Sequence, residues 1–114
     1  MKIVKKPWGH EEHFALNKKV TVKILEIKPK QSLSVQYHFK RKEFWKILEG
    51  NCKVRKGNKI IKAKPGDEFK FNKKEVHSIE AITKTRFLEI STGNYNPKDI
   101  VRLEDKYGRV SKRI

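Results

Sequence analysis

A chain of 114 residues, 36% hydrophobic and 10% aromatic, can bury a core and is too apolar to stay disordered despite 37% charged residues. Its net charge of +16 invites a nucleic-acid reading, yet 23 of its 29 basic residues are scattered lysines, whereas base and phosphate readers lean on arginine; nucleic-acid binding is not expected. No apolar run nears the roughly 20 residues of a membrane span, "MKIVKKPWGHEEHF" lacks a signal-peptide core, and the single Cys52 excludes an internal disulfide, so a cytoplasmic protein without membrane anchor is expected.

In chain order, "VTVKILEIK" (20–28) alternates, with Val20, Val22, Ile24 and Glu26 on one face and Thr21, Lys23, Leu25 and Ile27 on the other. Seven further short segments follow, at 32–39, 43–50, 52–57, 59–64, 67–72, 77–82 and 85–92. Turn signals separate several of them, at Pro29, Gly50-Asn51, Gly57-Asn58, Pro65-Gly66 and Asn72-Lys73. Eight short strands at this spacing predict an all-β antiparallel sandwich or barrel, and the absence of linkers predicts one domain over 1–114. Asn96 as cap and Pro97 at the first helical position predict a short C-terminal helix within 96–108.

The hairpin "SVQYHFKRKEFWKILEGN" is apolar on both faces. One face can line a barrel; the other needs cover from an N-terminal strand or a second subunit, and a homodimer is the economical expectation. Within it, Gln36 and His38 share a strand face and Glu43 follows on the next strand. An imidazole, an amide oxygen and a carboxylate form a borderline nitrogen/oxygen set for a divalent metal, and His77, at the start of a later strand, is placed to be a fourth ligand. The same groups would also serve as hydrogen-bonded core residues, and spacing alone does not choose. His10 and His13 lie among charges and are not candidates.

These residues resemble the cupin motifs. The first, G-x5-H-x-H-x(3,4)-E-x6-G, falls on Lys30, Gln36, His38, Glu43 and Gly50, with Lys for the opening Gly and Gln for the first His. The second, G-x5-P-x-G-x2-H-x3-N, falls on Gly66, Asn72, Lys74, His77 and Ala81, of which only the first Gly and the His are kept. A closer resemblance is to the cupin domain of type II phosphomannose isomerases, often fused behind a mannose-1-phosphate guanylyltransferase. It rests on Pro7-Trp8-Gly9, on Ser32, Leu33, Ser34, Gln36, His38, Arg41, Glu43 and Trp45, and on "DIVRLEDKYGR" (99–109). Lys40 departs from the family, standing where its H-x-H carries the second His.

The resemblance implies a double-stranded β-helix and a metal-dependent isomerisation of mannose 6-phosphate to fructose 6-phosphate, feeding GDP-mannose and polysaccharide synthesis. It implies one divalent ion, zinc first, then Mn, Co, Ni or Fe, on Gln36, His38, Glu43 and His77. It points to Lys23, Arg41 and Arg102 for the sugar phosphate, and to Glu89 and Arg102 for catalysis. Glu89 reads equally as an exposed strand carboxylate, and the segment of Arg102 as a latch on the barrel. The competing expectation is a non-catalytic sugar-phosphate-binding cupin, or a partner of a separate guanylyltransferase, since 114 residues leave no room for that domain.

Overall fold

The computed structural model describes residues 1–15 and 19–110, and there the alternating segments are strands. They are β1 (Lys2–Lys6), β2 (Gly9–Ala15), β3 (Val20–Ile27), β4 (Val35–Tyr37), β5 (Arg41–Glu49), β6 (Cys52–Lys56), β7 (Lys59–Ala63), β8 (Glu68–Phe71), β9 (His77–Ala81), β10 (Thr85–Gly93) and β11 (Val101–Glu104). Six form one antiparallel sheet in the order β1-β2-β3-β10-β5-β8, and five form a second, β11-β4-β9-β6-β7. This is the expected double-stranded β-helix. No helix occurs among the described residues.

The predicted C-terminal helix is corrected to a turn and a strand. Asn96 does act as a cap, its Oδ1 accepting the Lys98 N–H at 2.9 Å, and its carbonyl accepts the Asp99 N–H at 2.9 Å. The turn stops there, because the edge of β4 offers ladder partners: Val101 pairs with Tyr37 and Arg102 with Gln36. So short a helix would be marginal by itself, and sheet pairing wins. The segment 2–15, to which no element is assigned above, forms β1 and β2 and extends the sheet beyond β3. It lies beside the outer apolar face, which keeps Phe44, Leu88, Ile90, Val22 and Ile24 half-buried and Leu48 42% exposed.

Register divides the interior into two halves. On the three central strands the inward residues are Thr21, Lys23, Leu25 and Ile27; Arg41, Glu43, Trp45 and Ile47; and Thr85, Phe87, Glu89 and Ser91. Antiparallel pairing sets Phe87 against Leu25 and Ile47, which builds the apolar half, where Trp45 and Phe71 stack edge to face with centroids 4.6 Å apart. The same register sets Glu89 beside Lys23, and Ser91 beside Glu43 and Thr21, which builds a polar half.

Three turns explain the motif positions. Gly50 has φ +89°, and a Cβ there would meet the Lys84 carbonyl oxygen at 2.0 Å, so glycine is required. Lys30 and Lys74, at the two positions where the cupin motifs carry glycine, both have φ 65°. They keep the left-handed turn without glycine, because the Lys30 N–H donates to the Ala81 carbonyl at 2.8 Å and the Lys74 N–H to the His38 carbonyl at 2.6 Å. A non-glycine residue in this region costs about 1–2 kcal/mol. Lys30→Gly and Lys74→Gly are therefore expected each to raise stability by up to about 1 kcal/mol, after the larger chain entropy of glycine is deducted. Denaturant midpoints check this; a drop in both variants would show that the turns carry no strain.

Candidate active site

His38, Glu43 and His77 meet in the polar half, each almost fully buried, with ligand-capable atoms all within 4.8 Å of one another. Each strand contributes through its register. Gln36 on β4 pairs with His77 on β9, and Glu43 follows Arg41 on the inward face of β5. Both imidazoles are oriented from behind: His38 Nδ1 lies 2.6 Å from the Asp99 carbonyl and His77 Nδ1 lies 2.9 Å from the Glu75 carbonyl. A carbonyl only accepts, so both Nδ1 atoms carry a proton and both Nε2 atoms turn toward Glu43. His38 Nε2 is 3.1 Å from Glu43 Oε2, and His77 Nε2 is 3.5 Å from Glu43 Oε1.

The charges follow from burial and neighbours. Burial pushes the His77 pKa down, outweighing the pull of Glu43. Burial alone would raise the Glu43 carboxyl, but His77, His38 and Arg41 together hold it well below the usual carboxylate range. The residues fit a divalent cation. Two imidazole nitrogens and a carboxylate converge, and buried His77 Nε2 has no hydrogen-bond partner within the described chain. Arg41 is the competitor for this space: its Nε donates to Glu43 Oε2 at 3.0 Å and its Nη2 lies 3.1 Å from His38 Nε2. Trp45 Nε1 donates to Glu43 Oε1 at 3.0 Å from the apolar side.

Gln36 is half-buried, and its Oε1 accepts the Ser34 hydroxyl at 2.6 Å. It lines an inner cavity of about 100 Å³ together with Lys23, Arg41, Glu89, Tyr95 and Arg102. Five sequence candidates, Lys23, Gln36, Arg41, Glu89 and Arg102, thus gather on one chamber, whose lining does not include His38, Glu43 or His77. Glu89 is buried and faces inward, unlike the exposed carboxylate that was its other reading. Burial, reinforced by Glu43, pushes its pKa up to about 8, against the opposing pull of Lys23 and Arg41. Lys23 is buried too; desolvation works against its charge, but Glu89 and Glu11 more than restore it, and its pKa is raised. Its ammonium donates to Glu11 at 3.1 Å and to the Tyr95 hydroxyl at 2.5 Å. Arg102 sits across from Gln36 on β11.

Three site residues were not among the sequence candidates, although Asp99 opens the "DIVRLEDKYGR" segment. Tyr95 is held between two cations, with Lys23 Nζ 4.2 Å and the Arg41 guanidinium 4.6 Å from its ring centre. Asp99 fixes His38 through its carbonyl, while its carboxylate accepts the backbone N–H groups of Phe39 and Lys40, each at 2.9 Å. Glu11 bridges Lys23 and His13, whose Nε2 is 2.6 Å away. His10 pairs with Glu12 at 2.8 Å; both N-terminal histidines are thus engaged with carboxylates of β2.

Comparison with known proteins identifies the family. The chain is 29% identical over 109 residues to the xanthan biosynthesis protein XanB of Xanthomonas campestris pv. campestris (strain B100), covering 93% of the chain and 23% of that protein. It is 31% identical over 110 residues to a mannose-1-phosphate guanylyltransferase of Escherichia coli (strain K12), covering 94% of the chain and 23% of that protein. The chain therefore spans less than a quarter of the length of these curated relatives. Among solved structures, oxalate decarboxylase from Bacillus subtilis superposes with a TM-score of 0.79 at 16% identity, over 90% of the chain and 30% of that enzyme, a likeness of fold alone. Residues 1–105 match the family model described as mannose-6-phosphate isomerase C-terminal, so this cupin-fold chain belongs to that family.

Proposed function

We propose that the chain interconverts mannose 6-phosphate and fructose 6-phosphate. The carrying observation is that one polar half of the barrel holds the His38–Glu43–His77 cluster together with Glu89, a buried carboxyl whose pKa of about 8 lies close to working pH. The reaction moves a proton between C2 and C1 through an enediol, so it needs a proton carrier and stabilisation of developing oxygen charge. Glu89 is the carrier: its carboxylate takes the C2 proton and returns it to C1. A divalent ion, zinc by its suitability for two imidazoles and a carboxylate, would be held by Gln36, His38, Glu43 and His77 and would supply Lewis-acid polarisation. Lys23, Arg41 and Arg102 balance negative charge around the same chamber. The half-buried outer row of Phe44, Leu88, Ile90, Val22 and Ile24 supports a homodimer closing that face.

A coupled assay for fructose 6-phosphate tests the reading. Turnover is expected with the zinc-loaded chain, with at least a 100-fold loss after chelation and recovery on readdition of zinc. A second reading has its own observation: the relatives named as guanylyltransferases are more than four times longer than the matched part. If the zinc-loaded chain binds mannose 6-phosphate without turnover, the chain is a sugar-phosphate-binding module or a partner of a separate nucleotidyltransferase. Absence of stoichiometric metal after reconstitution would remove the metal-assisted mechanism.

A further inference from the structure

The inner chamber, at about 100 Å³, is well below the roughly 300–1,000 Å³ of small-molecule sites. A second cavity of about 770 Å³ shares Tyr95 with it as a lining residue. Its walls are Phe39, Tyr95, Asn94 and Asn96 with three lysines, Lys19, Lys40 and Lys98. The one acid there, Asp99, already spends both carboxylate oxygens on the backbone N–H groups of Phe39 and Lys40. Among the described residues, none of these three ammonium groups is in an ion pair. Two of the inner cations differ: Lys23 is committed to Glu11 and Tyr95, and Arg41 to Glu43 and His38. Like charges gathered around one concavity repel one another and focus a positive potential that an anion relieves.

We infer that this outer cavity is an anion subsite in which Lys19, Lys40 and Lys98 receive the phosphate of a sugar phosphate. The inference rests on the substrate class proposed above and assigns its two ends. In a hexose 6-phosphate the dianion sits on C6, at the opposite end of the carbon chain from C1 and C2, where the proton moves. Phosphate in the outer cavity and the reacting carbons turned toward Glu89 uses the three lysines that no ion pair engages and leaves Lys23 and Arg41 in place. Tyr95 is then the partition past which the sugar must reach. Lys40, the departure from the related motif, becomes a specificity residue for the charged end.

The test is calorimetric titration of the full chain with mannose 6-phosphate, inorganic phosphate and mannose, for wild type, Lys40→Glu/Lys98→Glu, and Lys53→Glu/Lys62→Glu. The last pair makes the same charge change on the sheet of β6 and β7, away from both cavities. The expected result is a loss of at least 10-fold in affinity for mannose 6-phosphate and for phosphate in Lys40→Glu/Lys98→Glu, none for mannose, and less than 2-fold in the control. Equal affinities in all three proteins, an equal loss in the control, or no binding of either phosphate compound by wild type would overturn the subsite. Failure of the isomerase reading looks different: a wild type without turnover whose phosphate affinity still falls in Lys40→Glu/Lys98→Glu keeps the subsite. Normal turnover with an unchanged KM in that variant removes the subsite and leaves the isomerase standing.

Discussion

Replacing Glu89 by Gln is expected to lower kcat for mannose 6-phosphate isomerisation by about 10²–10⁴-fold, the range for losing a positioned proton-transfer group. The amide keeps the shape and removes the proton acceptor, so metal content should not change. A second readout separates this role from a structural one. In the metal-free chain the folded Glu89 pKa is about 8 against an ordinary 4.5. Between those values the folded chain keeps a proton that the unfolded chain releases, so stability falls as pH rises through this window and the full cost is present above pH 8. Glu89→Gln removes that cost. Its melting temperature should exceed wild type at pH 9, with the gap closing below pH 4.5. Unchanged kcat would dismiss Glu89 as the proton carrier, and coincident melting curves at pH 9 would show that the chamber tolerates its charge.

His77→Ala should abolish stoichiometric metal binding. Loss of an outer partner of a metal ligand typically costs 10–100-fold in affinity, and removing the ligand itself should exceed about 100-fold. The ring also packs on Phe71, Trp45 and His38, at centroid distances of 4.9, 5.5 and 5.0 Å, so some loss of stability accompanies the change. His77→Gln keeps more of the packing and still removes the imidazole nitrogen. Elemental analysis after zinc reconstitution decides the matter. Full occupancy in both variants would exclude His77 from the metal set.

The central strands were readable because their alternation is strong: β3, β5 and β10 bury every second residue over most of their length. The cluster of His38, Glu43 and His77 was readable for the same reason, since period two and motif spacing fix which side chains face inward. β1 and β2 were not, because β2 turns Glu11 and His13 toward Lys23, and charged residues there erase the apolar signal of a strand. β11 failed differently. Asn96 and Pro97 carry a true capping signal, but it closes one turn, and the partner that makes 101–104 a strand lies more than 60 residues earlier. Tyr95 and Asp99 act through contacts with Lys23 and His38, 72 and 61 residues away, which no local pattern encodes.

The placement of β10 has a consequence for the order in which the molecule can come into being. β10 lies between β3 and β5, and the latter two are neighbours only through it. A chain emerging from the ribosome holds His38 and Glu43 early, yet the strand that brings their sheet together is not made until residues 85–93. The carbonyl that orients His38 arrives later still, with Asp99. Metal offered to the nascent chain therefore meets loose ligands rather than a cage, and the cage closes only when the last tenth or so of the described chain has docked. Within these residues the cluster is among the last parts to be completed, and the proposed metal set exists only in the folded domain.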